Sequence, residues 1–174
     1  MSLLAIAYPK IAAADFEKIQ LCRHQHDSLY YNLVRPHFTL VFPVANIPED
    51  VFLEEVGKLC SGVDKISFVL RCATLNKDSF SDYYHTFLVP DEGYSSIVKL
   101  HDKLYDGILQ NQLRMDIDYV PHIGIGNSKD PLHCKKLAST WNAQPFSIAG
   151  IIDEITVVKY ENNRVDPVKN FPLY

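Results

Sequence analysis

The chain has 174 residues, 47% of them hydrophobic and 22% charged, with a formal net charge of −4 at neutral pH. That balance suits one folded domain with a sizeable core and excludes a disordered chain. The negative charge argues against a long nucleic-acid groove, which needs clustered Lys and Arg to neutralise phosphates, but it leaves room for a short phosphate-bearing ligand.

In chain order, Leu3 to Tyr8 reads as a buried strand stopped by Pro9. It is too short for a signal peptide or a bilayer span, and a membrane partner is not expected. From Ala12 to His26, Ala12, Phe16, Ile19 and Cys22 recur at helical spacing with Glu17, Lys18 and Gln20 between them. Phe38 to Val44 is a strand, and Pro48-Glu49-Asp50 opens a helix with Phe52, Val56 and Leu59 on its apolar face. Ile66 to Leu75 alternates as a strand does, Asn76 to Asp82 is a polar loop, and Tyr83 to Val89 is a further strand. After the Asp91-Glu92-Gly93 turn, Ile97, Leu100, Leu104 and Ile108 predict a helix over Ser95 to Leu109, and Pro131 to Trp141 predicts another. Ser147 to Tyr160 reads as one long β-branched strand, with Gly150 and Asp153-Glu154 marking a bend or bulge. Asn162-Asn163 then turns the chain into a last strand near Val165 to Val168. Cys22, Cys60, Cys72 and Cys134 follow no zinc-ligand or redox spacing and read as reduced thiols of a cytosolic protein.

Two segments resemble each other: Pro36-His37-Phe38-Thr39-Leu40 and Pro121-His122-Ile123-Gly124-Ile125, with their histidines 85 positions apart. Each histidine follows an apolar run ending in proline, Pro9 or Pro90, by 28 and 32 positions respectively. A unit of strand, helix, histidine strand, helix and strand therefore recurs. Its period is too long for a solenoid, and it reads as a divergent duplication, with lobe one at about residues 1–76 and lobe two at about 83–174 packed as a single domain.

Side chains alternate along a strand, so His37 and Thr39 share one face while Phe38 and Leu40 share the other. If the lobes meet about a pseudo-two-fold axis, His122 approaches His37 across a cleft that holds one small group, an arrangement suited to in-line displacement at phosphorus. An imidazole titrates at about 6.5, so one histidine can serve as acid while the other serves as base. Which is which stays open. The Thr39 hydroxyl can donate to a phosphate oxygen, and the Arg35 guanidinium can fork onto one. Tyr83 and His85 share one strand face and Tyr84 and Thr86 the other, and the pattern does not choose which pair meets the ligand. Tyr31 and Tyr119 flank the two motifs. His24 and His26 suit a helix C-terminus, and His101 and His133 read as surface residues. Neither a carboxylate cluster nor an H-x-x-x-H pair points to a metal, and no phosphate-binding glycine loop is present.

On these residues the chain resembles the 2H phosphoesterase superfamily, also called the 2′-5′ RNA ligase-like family, whose mark is two H-x-[T/S]-x motifs, one in each lobe. His37-Phe38-Thr39-Leu40 matches fully, whereas His122-Ile123-Gly124-Ile125 has glycine in the hydroxyl position. The resemblance implies an α+β, bilobal, duplicated fold with two antiparallel sheets lining a central cleft and helices outside. It implies a phosphodiesterase, without metal or other cofactor, that opens a 2′,3′-cyclic phosphate on an RNA end or small nucleotide, with 2′-5′ RNA ligation as a reverse activity. It makes His37 and His122 the acid and base and Thr39 a phosphate contact. Gly124 leaves three outcomes at the second contact: backbone N–H groups or water fill the place, the ligand carries bulk there, or turnover is weak. The rival reading is a nucleotide- or phosphate-binding module with the same cleft and no turnover. A monomer is expected.

Overall fold

The computed structural model describes residues 1–174. Nine strands and four α-helices follow one another as β1 (Ser2–Ala7), β2 (Lys10–Ile11), α1 (Ala13–His26), β3 (Phe38–Val44), α2 (Glu49–Cys60), β4 (Ile66–Lys77), β5 (Tyr84–Glu92), α3 (Tyr94–Leu104), β6 (Ile123–Ser128), α4 (Pro131–Asn142), β7 (Ile148–Ile152), β8 (Glu154–Glu161) and β9 (Arg164–Pro172). They form two antiparallel sheets, a four-stranded one in the order β3-β1-β8-β9 and a five-stranded one in the order β2-β7-β4-β5-β6. Helices α2 and α3 lie on the four-stranded sheet, and α1 and α4 cover β4, β5 and β6 of the other. No helix is long and apolar enough to cross a membrane.

Neither sheet is confined to one half of the sequence. The four-stranded sheet joins β1 and β3 to β8 and β9, and the five-stranded sheet joins β2 and β4 to β5, β6 and β7. The chain passes between the sheets four times, the last time at Asp153. What reads as one strand from Ser147 to Tyr160 is two, and the break between them carries the chain from one sheet to the other. The Asp153 side chain pairs with Lys10 of β2, and its carbonyl accepts from the Leu173 amide at 2.8 Å, so the crossing is held from both sides. Asn162 and Asn163, with φ of 51° and 56°, close the β8-β9 hairpin, as the left-handed region of a tight two-residue turn requires.

The predicted helix over Ser95 to Leu109 ends early, at Leu104. Gly107 takes a φ of +64°, the chain tightens into a 3-10 turn over Gly107–Gln112, and Leu109 still reaches the core. His101, expected at the surface, is buried instead: its Nδ1 donates to the Leu40 carbonyl at 2.7 Å and its ring stacks on Tyr119 with centroids 3.5 Å apart. A polar residue on the inner face of α3 thus braces β3, assisted by Tyr105, whose hydroxyl accepts from the Phe42 amide at 2.8 Å, and by Tyr119, whose hydroxyl donates to the Thr39 carbonyl at 3.1 Å. The two sheets meet in one apolar core, where Phe38 packs edge-on against Phe68 at 5.0 Å.

Of the two buried side chains on α1, one is not apolar. Arg23 is buried on the same helix as Ile19, and its guanidinium pairs with Asp27 at 2.9 Å, reaches Gln20 at 3.0 Å, and caps the carbonyls of Tyr30 at 3.0 Å and Val34 at 2.8 Å. Asp27 accepts in turn from the Tyr30 amide at 2.9 Å and from the Asn127 amide group of β6. Removing one member strands a buried charge, so Asp27→Asn and Arg23→Met should each lower the unfolding free energy by about 3–5 kcal/mol, read as a lower urea midpoint.

Candidate active site

Both histidines sit directly before a strand, His37 before β3 and His122 before β6. The alternation expected for the first motif holds: Phe38 and Leu40 are fully buried, while His37 and Thr39 are half-buried on the opposite face. The backbone treats the two rings alike. His37 Nδ1 donates to the Arg35 carbonyl at 2.8 Å, and His122 Nδ1 donates to the Val120 carbonyl at 2.6 Å, each two residues back. A carbonyl only accepts, so the neutral ring carries its proton on Nδ1 and keeps the Nε2 lone pair free. Burial pushes both imidazoles down from 6.5 to about 4, with a partial counteraction from the carbonyl bond, and His37 itself contributes to the lowering at His122. His37 thus disfavours a proton on His122.

The surroundings differ. His122 lies face-on against Phe87, with centroids 3.5 Å apart and planes 14° from parallel. Phe87 stacks on His85 at 5.6 Å, and His85 on Tyr30 at 6.2 Å, so four rings form a column running along β5 away from His122. His85 is buried, and its Nε2 is bonded to Asp78 Oδ2 at 2.8 Å. Burial pushes the Asp78 carboxyl up, but hydrogen bonds from His85 and from the Phe80 and Ser81 amides outweigh it and hold Asp78 below the usual carboxylate range. His37 instead meets the edge of Tyr8 at 6.3 Å, and the exposed Arg35 guanidinium lies 4.3 Å from the Tyr8 ring centroid. The other four arginines, Arg23, Arg71, Arg114 and Arg164, are each paired with a carboxylate.

His37 acts electrostatically on His122, Arg35 and His37 both lie against Tyr8, and Thr39 and Gly124 each stand two residues beyond a histidine; on β5 the structure settles which residues face α4. Thr86 is fully buried and its hydroxyl donates to the Cys134 carbonyl at 3.1 Å, so Tyr84 and Thr86 face α4, while His85 and Phe87 face the other way. His85 is near His122 but committed to Asp78. Tyr83 stands beyond it, its ring under Lys129 at 5.4 Å, four residues or about 14 Å of strand from Phe87. Sequence reasoning missed Phe87, Tyr8, Tyr30 and Asp78. Period two from His85 finds Phe87; nothing in the polar loop singles out Asp78.

A family model described as the 2′-5′ RNA ligase superfamily matches residues 8–164. The chain belongs to the 2′-5′ RNA ligase superfamily. Membership places its chemistry among the phosphoesterases and RNA ligases. One relative, a protein of Bacillus licheniformis that carries a provisional phosphoesterase name, is 22% identical over 136 residues, covering 76% of each chain. Among solved structures, E. coli LigT in apo form aligns with a TM-score of 0.62 at 16% identity over 99% of this chain and 96% of that one. LigT complexed with 3′-AMP aligns with a TM-score of 0.60 at 15% identity, over 99% and 97%. TT0787 of Thermus thermophilus aligns with a TM-score of 0.62 at 14% identity, over 99% and 98%. These likenesses show that the superfamily member has the LigT-like fold, with α+β layers and two antiparallel sheets.

The low proton affinity of both rings has a consequence for stability. Unfolded histidines titrate near 6.5 and the folded pair near 4, so between those values the unfolded chain binds more protons and stability falls as pH drops through the window. The urea midpoint should be lower at pH 4.5 than at pH 7. In the double variant His37→Asn, His122→Asn the difference should shrink without vanishing, because burial also pushes His26 and His101 down.

Proposed function

We propose that the protein is a metal-independent phosphodiesterase that opens a 2′,3′-cyclic phosphate on an RNA end or small nucleotide by two-histidine acid-base catalysis, with 2′-5′ RNA ligation as a reverse activity. The observation that carries this reading is the pair of electrostatically coupled imidazoles, each fixed through Nδ1 to a backbone carbonyl with Nε2 free. One Nε2 takes the proton of the attacking water while the other, protonated, delivers its own to the departing ribose oxygen. Thr39 donates to a non-bridging oxygen, and the unpaired Arg35 guanidinium supplies a fixed positive charge at the rim.

With burial pushing both down to about 4, the rings are neutral at pH 7, which leaves the acid unarmed. A phosphodiester anion corrects this, because a negative charge between the rings raises their proton affinity and offsets the burial that lowers it. Binding of an anion should therefore take up a proton near pH 6. Calorimetric titration with sulfate, which does not itself titrate there, should give an apparent enthalpy that depends on the ionisation heat of the buffer. An enthalpy independent of buffer would contradict coupled protonation.

Turnover of 2′,3′-cyclic AMP in excess chelator tests the activity directly. The wild type should turn over undiminished, and His37→Ala and His122→Ala should each lose at least about 10²-fold in kcat while melting as the wild type does. Thr39→Val should lose roughly ten- to a hundredfold, the worth of one hydrogen bond to a charged oxygen. No turnover, or turnover only with added metal, would overturn the reading. If His37→Ala changed nucleotide affinity alone, the cleft would be a binding module.

A further inference from the structure

Strand β6 contains two glycines, and the fold accounts for only one. A Cβ at Gly126 would lie 2.6 Å from Leu137 Cδ2, 3.1 Å from His26 Cβ and 3.2 Å from the His26 carbonyl oxygen, so glycine there is the condition for α1 and α4 to pack against the strand. A Cβ at Gly124 would meet no atom within 4 Å, and its backbone is not among the positions with positive φ. Neither packing nor conformation calls for glycine at 124, where a strand interior favours a residue with a side chain.

Its position suggests what the space is for. Gly124 lies two residues beyond His122, as Thr39 lies two beyond His37, and strand alternation turns both positions to the same side as the neighbouring histidine. In the β5-β6 register Gly124 is directly opposite Phe87, the ring against which His122 stacks. The two halves of the cleft are thus unlike: a hydroxyl beside His37, and beside His122 a gap bordered by a phenyl ring. Such a gap offers no side-chain donor to a charged oxygen, and an oxyanion placed there would give up hydration without a replacement. A carbon-bearing group loses nothing by the exchange and gains contact with the ring.

The structure assigns Gly124 as a specificity-determining position, at which the gap beside Phe87 receives the neutral sugar portion of a nucleotide whose phosphate is held by the histidines and Thr39. The assignment rests on the two-histidine reading for the place of the phosphate. A residue with a side chain at 124 would fill the space that the ligand needs, and glycine is what keeps it open.

Gly124→Ala and Gly124→Ser separate this from a missing-hydroxyl explanation, and both should fold, since the added atoms meet nothing. Calorimetry with 3′-AMP and with inorganic phosphate, beside kcat/KM for 2′,3′-cyclic AMP, reads the outcome. Both variants should weaken 3′-AMP about tenfold or more, the effect of one methylene-sized change in a fitted pocket, and leave inorganic phosphate unchanged. A gain in nucleotide affinity or turnover with Ser but not with Ala would overturn the assignment, as would wild-type affinity for 3′-AMP in both. A wild type that binds 3′-AMP but turns over no cyclic nucleotide would sink the catalytic reading alone, and the Gly124 comparison would still be decided by binding. A wild type that binds neither probe would sink both.

Discussion

The buried pair of Arg23 and Asp27 is the constraint on which the supports of both histidines depend. The segment between α1 and β3 has no regular structure, so only some of its carbonyls find partners within it, Asp27 from the Tyr31 amide and Tyr30 from the Leu33 and Val34 amides, and a buried carbonyl without a partner is costly. The Arg23 guanidinium supplies the partner of Val34 and a further donor to Tyr30, and it also bonds Asp27 and Gln20. An apolar side chain would fill the volume but leave the Val34 carbonyl bare. The bonded segment ends in Arg35-Pro36-His37, and the other end of the network, Asp27 to Asn127, reaches the strand that begins just after His122. One ion pair therefore ties together the supports of both histidines. Its charges act oppositely on His37, Arg23 lowering and Asp27 raising its proton affinity, so burial remains the largest influence there.

Much of this was legible in the sequence where the physics is local. Period two placed His37 and Thr39 together on one face of β3, and the bounds of that strand and the start of β4 follow from alternation and from proline. The apolar positions Ile97, Leu100 and Leu104 carried α3, but its end did not follow, because Ile108 continues the helical spacing while Gly107 breaks the helix with a left-handed φ. The rest was illegible because it depends on partners remote in sequence. A polar residue such as Arg23 on a helix reads as solvated until the carbonyls it satisfies are known, and His101 reads the same way until β3 lies beside it. The bend at Asp153 was visible as a bend. That the chain changes sheets there is a fact about Lys10 and Leu173, 143 and 20 residues away.

The matched motifs yield a site with matched backbone contacts and unmatched side-chain contacts. Each Nδ1 finds a carbonyl two residues earlier, so the tautomer is set the same way in both halves. The ring beyond is held differently. His122 is pressed against Phe87, itself the third ring of a column anchored through His85 to an Asp78 that three hydrogen bonds fix in place. That column limits rotation of the His122 ring without touching its Nε2. His37 has only the edge of Tyr8 beside it and depends for its orientation on the Arg35 carbonyl and on the segment held by Arg23. The likeness is confined to the backbones; the contacts that orient each ring come from different elements.

On the proposed reading a chain with a net charge of −4 attracts an anion to the two histidines, and the attraction has to be local. At physiological ionic strength charges separated by more than about 8 Å are largely screened, so carboxylates on the far surfaces neither help nor oppose. Four of the five arginines are already neutralised by acidic partners, which leaves Arg35 as the fixed guanidinium charge of the site. The remaining positive charge is not present before the ligand arrives, because both imidazoles are neutral at pH 7. It is created when the anion draws a proton onto one of them. In the proposed reaction affinity and catalysis are two results of one protonation: the proton that compensates the phosphate on binding is the proton that the leaving oxygen receives.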